Sequence, residues 1–294
     1  MSALPRAPLV LDLDASVGPL PGEQRLDLRV HQEALRFGCR RSTLAAFMAG
    51  IEPQLPAEPG TVFMGSGDFH HLSAALLARL ADRGPFDVLV FDNHPDNMRY
   101  PWGIHCGSWV RAVAALPHVG HVQVIGIGSA DAGWRHAWEN HWLPLWRGRL
   151  SYRCLGADVG WARRAGLGQA IQGFQDEAEL LHCLAREQAQ AAGRPLYISI
   201  DKDVLDPRVA RTNWDQGRLS EAGLMGALDL LRARPLVGSD ITGDVSIYRY
   251  RSRLKRWLSG LDAQPQIDPL QLQGWQAQQH QLNLRLLARL QTLG

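Results

Sequence analysis

The chain has 294 residues, and its 31 basic and 29 acidic side chains leave a net charge of +2, so no global field draws it to nucleic acid or to a membrane surface. A chain of this length buries most of the surface that its unfolded form exposes and can hold a site inside a rigid core. Its four cysteines, Cys39, Cys106, Cys154 and Cys183, stand far apart with no CxxC pair, which argues against both a disulfide framework and a thiolate zinc site.

The N-terminal MSALPRAPLVLDLD has no basic segment leading into a long apolar one, and no run approaches membrane-spanning length. A soluble cytoplasmic protein acting on a small molecule or another protein is expected. Short apolar runs bounded by turn residues then follow in order: LVLDLD from Leu9, TVFMGSG from Thr61, DVLVFD from Asp87, VQVIGIGS from Val122, LYISID from Leu196 and PLVGSDI from Pro235. Such runs suit strands buried on both faces. Between them lie the helical patterns HLSAALLARLADRG, DEAELLHCLAREQAQAAG and SEAGLMGALDLLRAR, the last begun by Ser220 as its cap. The alternation predicts an α/β fold with a mainly parallel sheet. With no repeat and no clear linker, a single domain over residues 1–294 is expected, and AQPQIDP at 263–269 is read as a hinge before a final helix rich in Gln and Leu.

In a parallel sheet the functional crevice lies outside the carboxyl ends of the strands. Three such ends carry ligand-type residues: GDFHH from Gly67 to His71, DNHPD from Asp92 to Asp96, and DKDVLDP from Asp201 to Pro207. Asp92, His94 and Asp96 are spaced by two and share one side of an extended exit; Asp201 and Asp203 repeat that spacing. Four carboxylates crowded at adjacent strand ends would repel, and two divalent cations would cancel them. With His94 and either His70 or His71 the set reaches six side chains, enough for two sites that share carboxylates. Mostly oxygen donors with a little imidazole favour manganese over a structural zinc. Each motif alone also fits a helix cap or a solvated turn; their joint occurrence at three strand ends gives the metal reading its weight.

DNHPD resembles the DAHxD motif of the arginase/agmatinase (ureohydrolase) family, SIDKDVLDP from Ser199 to Pro207 resembles its SxDxDxxDP, and GSGDFHH stands where the family has GGDH. The likeness runs from about residue 60 to about residue 245. It implies a three-layer αβα sandwich around a mainly parallel sheet, with a cluster of two Mn2+ per chain at the strand ends. By position it implies Asp92, His94, Asp96, Asp201 and Asp203 as ligands, completed by one histidine from the Gly67 to His71 stretch. His70 keeps the family spacing to Asp68 best, with His71 as the alternative. His105, in GIHCGSW, resembles the family's proton-relaying histidine. The late segment GSDITGDV from Gly238 resembles GxDIxE, whose glutamate pairs with the substrate guanidinium, but here Gly243 takes that place and Asp244 follows. Family members are commonly oligomeric, so a homo-oligomer is the implied assembly.

Two metals would lower the pKa of a shared water enough to supply hydroxide near neutral pH, suited to attack on a guanidinium or amidine carbon. Asp96 would take the proton and pass it to the leaving nitrogen, and His105, whose ordinary pKa suits a proton relay, would serve the leaving group. The expected function is hydrolysis of a linear amidine or guanidino C–N bond, releasing urea or a related small product. Loss of the glutamate points away from free arginine and toward an extended guanidino compound or an arginine-containing peptide, whose arginine would become ornithine. Asp244, Asn213 and Asp215 are the candidates for orienting it. Two other classes compete: a deacetylase-like metal amidohydrolase built around one zinc, which the paired DxHxD and DxD disfavour, and a non-catalytic metal-containing binding protein. Trp134, Trp138, Trp142 and Trp146 are expected to serve packing or a partner surface, and the run Arg249, Arg251, Arg253, Lys255, Arg256 to form a solvated helix face.

Overall fold

The structure, a computed structural model, describes residues 6–253, 255–256 and 267–293. Residues 263–266 of the expected hinge lie outside the described residues. A nine-stranded sheet forms the middle layer, built from β1 (Leu9–Asp12), β2 (Gln24–Asp27), β4 (Val62–Phe63), β5 (Phe86–Phe91), β7 (Val119–Ile127), β8 (Leu150–Leu155), β9 (Ile171–Phe174), β10 (Leu196–Asp201) and β11 (Leu236–Thr242). Its order is β2-β1-β4-β11-β10-β5-β7-β8-β9, and every pairing in it is parallel. A small antiparallel pair, β3 (Gly38–Cys39) with β6 (Ile104–His105), lies outside the sheet.

Each central strand is buried on both faces because alternate residues feed two separate cores. In β5, Val88 and Val90 join a core with the helices Arg41–Ile51, Leu72–Ala78 and Trp109–Ala114, whereas Leu89 and Phe91 join one with Glu177–Gln190, Glu221–Asp229 and Pro269–Gln291. Two helical layers therefore sandwich the sheet, giving the expected αβα architecture. Ser220 caps its helix as predicted, its hydroxyl accepting from Gly223 N at 2.9 Å. Strands β2, β8 and β9 have no counterpart among the predicted runs. β8 reads LSYRCL, and its Arg153 is buried only because Glu187 accepts from it at 2.6 Å, a tertiary pairing that local pattern does not reveal. No helix among the described residues is long and apolar enough to cross a membrane.

The tryptophan run divides. Trp142 is half-buried against Trp161, with ring centroids 5.6 Å apart, while Trp134, Trp138 and Trp146 are 69, 66 and 54% exposed. The basic run is not wholly a solvated face, since Lys255 Nζ donates to the carbonyls of Glu33, Ala34 and Arg36.

Candidate metal centre

Strands β4, β5 and β10 belong to one contiguous stretch of the sheet, separated only by β11, so the segments leaving their carboxyl ends meet. After β4 the chain turns through Gly67–Phe69, and His70 emerges 1% exposed with Nδ1 3.1 Å from Asp92 Oδ2, 3.2 Å from Asp96 Oδ2 and 3.5 Å from Asp201 Oδ2. On the other side of Asp92, His94 Nδ1 lies 3.5 Å from Asp92 Oδ1 and 3.0 Å from Asp203 Oδ2. Two groups that could each hold a metal ion result, His70–Asp92–Asp201 and Asp92–His94–Asp203, and Asp92 belongs to both.

Both imidazoles are oriented from behind. His70 Nε2 meets Ser199 Oγ at 2.9 Å, and that hydroxyl donates to Asp240 Oδ1 at 2.7 Å. His94 Nε2 meets Asp215 Oδ1 at 2.8 Å. With a proton on each Nε2, each Nδ1 turns a lone pair inward, the usual way an outer partner fixes a ligand histidine. His71 has neither ring nitrogen bonded, and burial pushes its pKa down to about 3. It is a neutral core residue that belongs to neither group. Of the two histidines only His70 joins the cluster.

The donor set fits a pair of divalent cations. Asp92 Oδ2 is buried with no hydrogen-bond donor. Burial, reinforced by the charge of Asp92, pushes the carboxyls of Asp96 and Asp203 up, and burial with the charge of Asp203 raises Asp201. Four carboxylates cannot all ionise in this space without added positive charge. Asp96 is further constrained: its backbone takes φ 44°, a left-handed conformation uncommon for a non-glycine residue, and the indole Nε1 of buried Trp109 donates to its Oδ2 at 2.6 Å.

The cluster forms the floor of a cleft of about 530 Å³, whose walls include Phe37, Tyr100, Trp102, Trp214, His105 and the carboxylates of Asp131, Glu139 and Asp215. His105 Nδ1 accepts from Gly107 N at 2.9 Å, leaving Nε2 to carry the proton of the neutral ring. Its ring stacks on Phe37 at 5.8 Å and meets Tyr100 edge-on at 4.2 Å. The expectation of an ordinary pKa is corrected, because burial pushes it down to about 4.

Two of the three predicted substrate contacts are absent from the cleft. Asp244 is fully buried and spends its charge on Lys202 Nζ, 2.7 Å away. Asn213 pins the following segment, donating to Ser246 O at 2.7 Å and accepting from Ser246 N at 2.9 Å. Only Asp215 reaches the cleft, where its carboxylate is mostly exposed. Residues that sequence reasoning passed over include Ser199 and Asp240, although both stand inside quoted motifs, and Asp131, which nothing local distinguishes from a turn aspartate. At Gly243, φ is 89° and an added Cβ would lie 2.4 Å from Asp201 Oδ1, so this backbone has no room for a glutamate.

No family model matches the sequence. An uncharacterized protein of Thermotoga maritima is 30% identical over 207 residues, which are 70% of this chain and 67% of that protein, and the chain belongs to the same family. The fold aligns with proclavaminate amidino hydrolase of Streptomyces clavuligerus at 17% identity, over 99% of this chain and 93% of that one, with a TM-score of 0.53. It aligns with formimidoylglutamase of Bacillus subtilis at 14% identity, over 97 and 86%, with a TM-score of 0.53. For arginase of Bacillus subtilis the identity is 13%, the coverage 95 and 98%, and the TM-score 0.51. The fold is that of the arginase/agmatinase proteins, in a divergent version.

Proposed function

We propose that this arginase-fold chain is a binuclear metal-dependent hydrolase of a C–N bond in a guanidino or amidino group, acting on an extended substrate and releasing urea or a related small product. The observation that carries the reading is the pair of buried ligand sets sharing Asp92 on the floor of an open cleft. His70, Asp92, His94, Asp96, Asp201 and Asp203 would hold the cations, and the oxygen-rich donor set favours Mn2+. Such a pair supplies the positive charge that lets the carboxylates ionise together and acidifies water at the centre.

The remaining work falls to this chain's own groups. Asp96, fixed by Trp109, is the carboxylate placed to take a proton. His105, neutral with its proton on Nε2, stands in the wall as a hydrogen-bond donor to the substrate, and the proton that Asp96 takes up is the one returned to the leaving nitrogen. Phe37, Tyr100, Trp102 and Trp214 offer apolar faces to the body of the substrate, and Asp131, Glu139 and Asp215 favour a cationic one. Arginine within a peptide meets both requirements. The test is a screen of manganese-reconstituted protein for urea or small-amine release from free arginine, agmatine, formimidoyl amino acids and arginyl peptides. Turnover of an extended guanidino compound is expected, and no turnover of any of them by protein carrying two metals would overturn the reading.

A further inference from the structure

Between the ligands Asp201 and Asp203 the chain places Lys202, a residue of opposite charge that lies 0% exposed. Strand β10 ends at Asp201 and Lys202 opens a single 3-10 turn, Lys202–Val204; Asp201 and Asp203 line the cleft, whereas Lys202 is directed into the layer behind them. Its Nζ lies 2.7 Å from Asp244 Oδ1 and donates to Asn283 Oδ1 at 2.8 Å; Asn283 Nδ2 in turn donates to the same Asp244 Oδ1 at 3.0 Å. The three side chains close a buried ring. One member comes from the ligand loop, one from the turn after β11 and one from the helix Pro269–Gln291. Four residues before Asn283 on that helix, and so on the same face, Gln279 Nε2 donates to Gly243 O at 2.9 Å and to Arg211 O at 2.6 Å.

Stability alone is a poor reason for this ring. Replacing a buried ion pair by apolar side chains of similar volume is often neutral or stabilising, and Asp244 Oδ2 has no donor among the described residues. What a hydrogen-bonded ring provides and apolar packing does not is direction: three fixed bonds determine where the Lys202 backbone sits, and with it the two carboxylates on either side. The loop's own bond, Asp203 N to Asp201 Oδ1 at 3.0 Å, sets the two carboxylates relative to each other, and Asn93 N, donating to Asp203 Oδ1 at 3.0 Å, ties one of them to the exit from β5; the ring adds the anchor for the backbone between the two.

We infer that Lys202, Asp244 and Asn283 are positioning residues for the metal centre, through which the C-terminal helix holds Asp201 and Asp203 in register with the ligands of β5. The inference rests on the metal reading of the site. It is tested by calorimetric manganese titration of the full-length apoprotein, alongside its melting temperature, for wild type, the apolar double variant Lys202→Met/Asp244→Leu, and Asn283→Leu. Wild type is expected to take up two ions per chain. Both variants should melt cooperatively within a few degrees of wild type yet bind manganese about 10- to 100-fold more weakly, the scale on which outer partners tune metal sites. If the double variant does not fold, Asn283→Leu decides. Wild type that takes up no metal overturns the metal reading and this inference together, whereas wild-type affinity in a folded variant overturns the inference alone.

Discussion

A Cβ atom on Gly243 would lie 2.4 Å from Asp201 Oδ1, inside contact distance of a ligand carboxylate. The position that resembles the guanidinium-pairing glutamate thus cannot take any side chain without displacing Asp201 or the backbone of Lys202, and its φ of 89° would strain one further. Gly243→Glu is therefore expected to destabilise the protein by about 1–3 kcal/mol and to weaken manganese binding, without creating activity on free arginine. Denaturant titration, metal analysis and a urea assay on the variant check this; full metal loading with new arginine hydrolysis would show that the turn is free to move.

Asp92 is common to both groups of side chains that could hold a metal ion. Its loss should abolish both ions, while loss of Asp203 should spare the half built on His70 and Asp201. Elemental analysis of reconstituted protein is expected to give about two metals per wild-type chain, near zero for Asp92→Ala and about one for Asp203→Ala. One tightly held zinc in wild type, indifferent to Asp203, would favour the deacetylase-like reading instead.

The two adjacent histidines separate by what touches them. His70 is bracketed by carboxylates and by Ser199, whereas His71 has no hydrogen-bond partner for either ring nitrogen. His71→Leu should keep both metals and change stability by less than about 1.5 kcal/mol, as a volume-conserving apolar swap does. His70→Leu should lose metal. Ser199→Ala, which removes only the bond behind His70, should weaken binding about 10-fold. Metal loss in His71→Leu with retention in His70→Leu would reverse the assignment.

The sheet and the gathering of carboxylates and histidines at its strand ends were legible because both follow from local pattern. Apolar runs mark β5 and β10, and Asp92, His94 and Asp96 follow β5 closely enough to converge on His70 and Asp203, although the φ of 44° at Asp96 replaces the extended exit that the spacing suggested. The choice between His70 and His71 was not legible, because it depends on the turn at Gly67–Phe69, which sets which of two neighbours faces Asp92. Asp244 misled for a related reason. Its place after Gly243 suggested a substitute for the glutamate, but its charge is taken by Lys202 from another strand end and by Asn283 on the last helix, and no local signal announces either partner. His105 of GIHCGSW lines the cleft, yet its low pKa comes from burial between Phe37 and Tyr100, which the motif itself does not announce.

Burial lowers the pKa of His105 from the ordinary 6.5 to about 4. Between those values the unfolded chain binds a proton that the native ring refuses, so stability is complete above about pH 6.5 and falls as pH drops toward 4. The loss reaches about 3 kcal/mol at the acid end. His105→Asn keeps an acceptor for Gly107 N and has no titrating group, so metal-free wild type should lose stability faster than metal-free His105→Asn over this range. Parallel urea-denaturation profiles for the two proteins would show that His105 titrates normally.

Substrate choice should follow the carboxylates that face the cleft. Asp244 is buried against Lys202, so Asp244→Asn is expected to disturb folding or metal binding and not the ranking of substrates. Asp215 has two duties, since it lines the cleft and also orients His94; its replacement by Asn should impair metal binding and turnover together. Asp131 is the cleaner probe. It lines the same cleft, its carboxylate accepts no hydrogen bond from the described residues, and burial holds its pKa above the usual carboxylate range. A charge-assisted hydrogen bond to a cationic substrate is worth about 1.5–3 kcal/mol. Asp131→Asn should therefore lower kcat/KM for an arginyl peptide by roughly 10- to 100-fold, largely through KM, with both metals retained. Free arginine and agmatine, with less body to place against the aromatic walls of Phe37, Tyr100 and Trp214 than a longer chain has, should remain poor substrates in both proteins. Efficient hydrolysis of free arginine, unchanged in Asp131→Asn, would mean that a different group receives the guanidinium and that the cleft selects for small substrates.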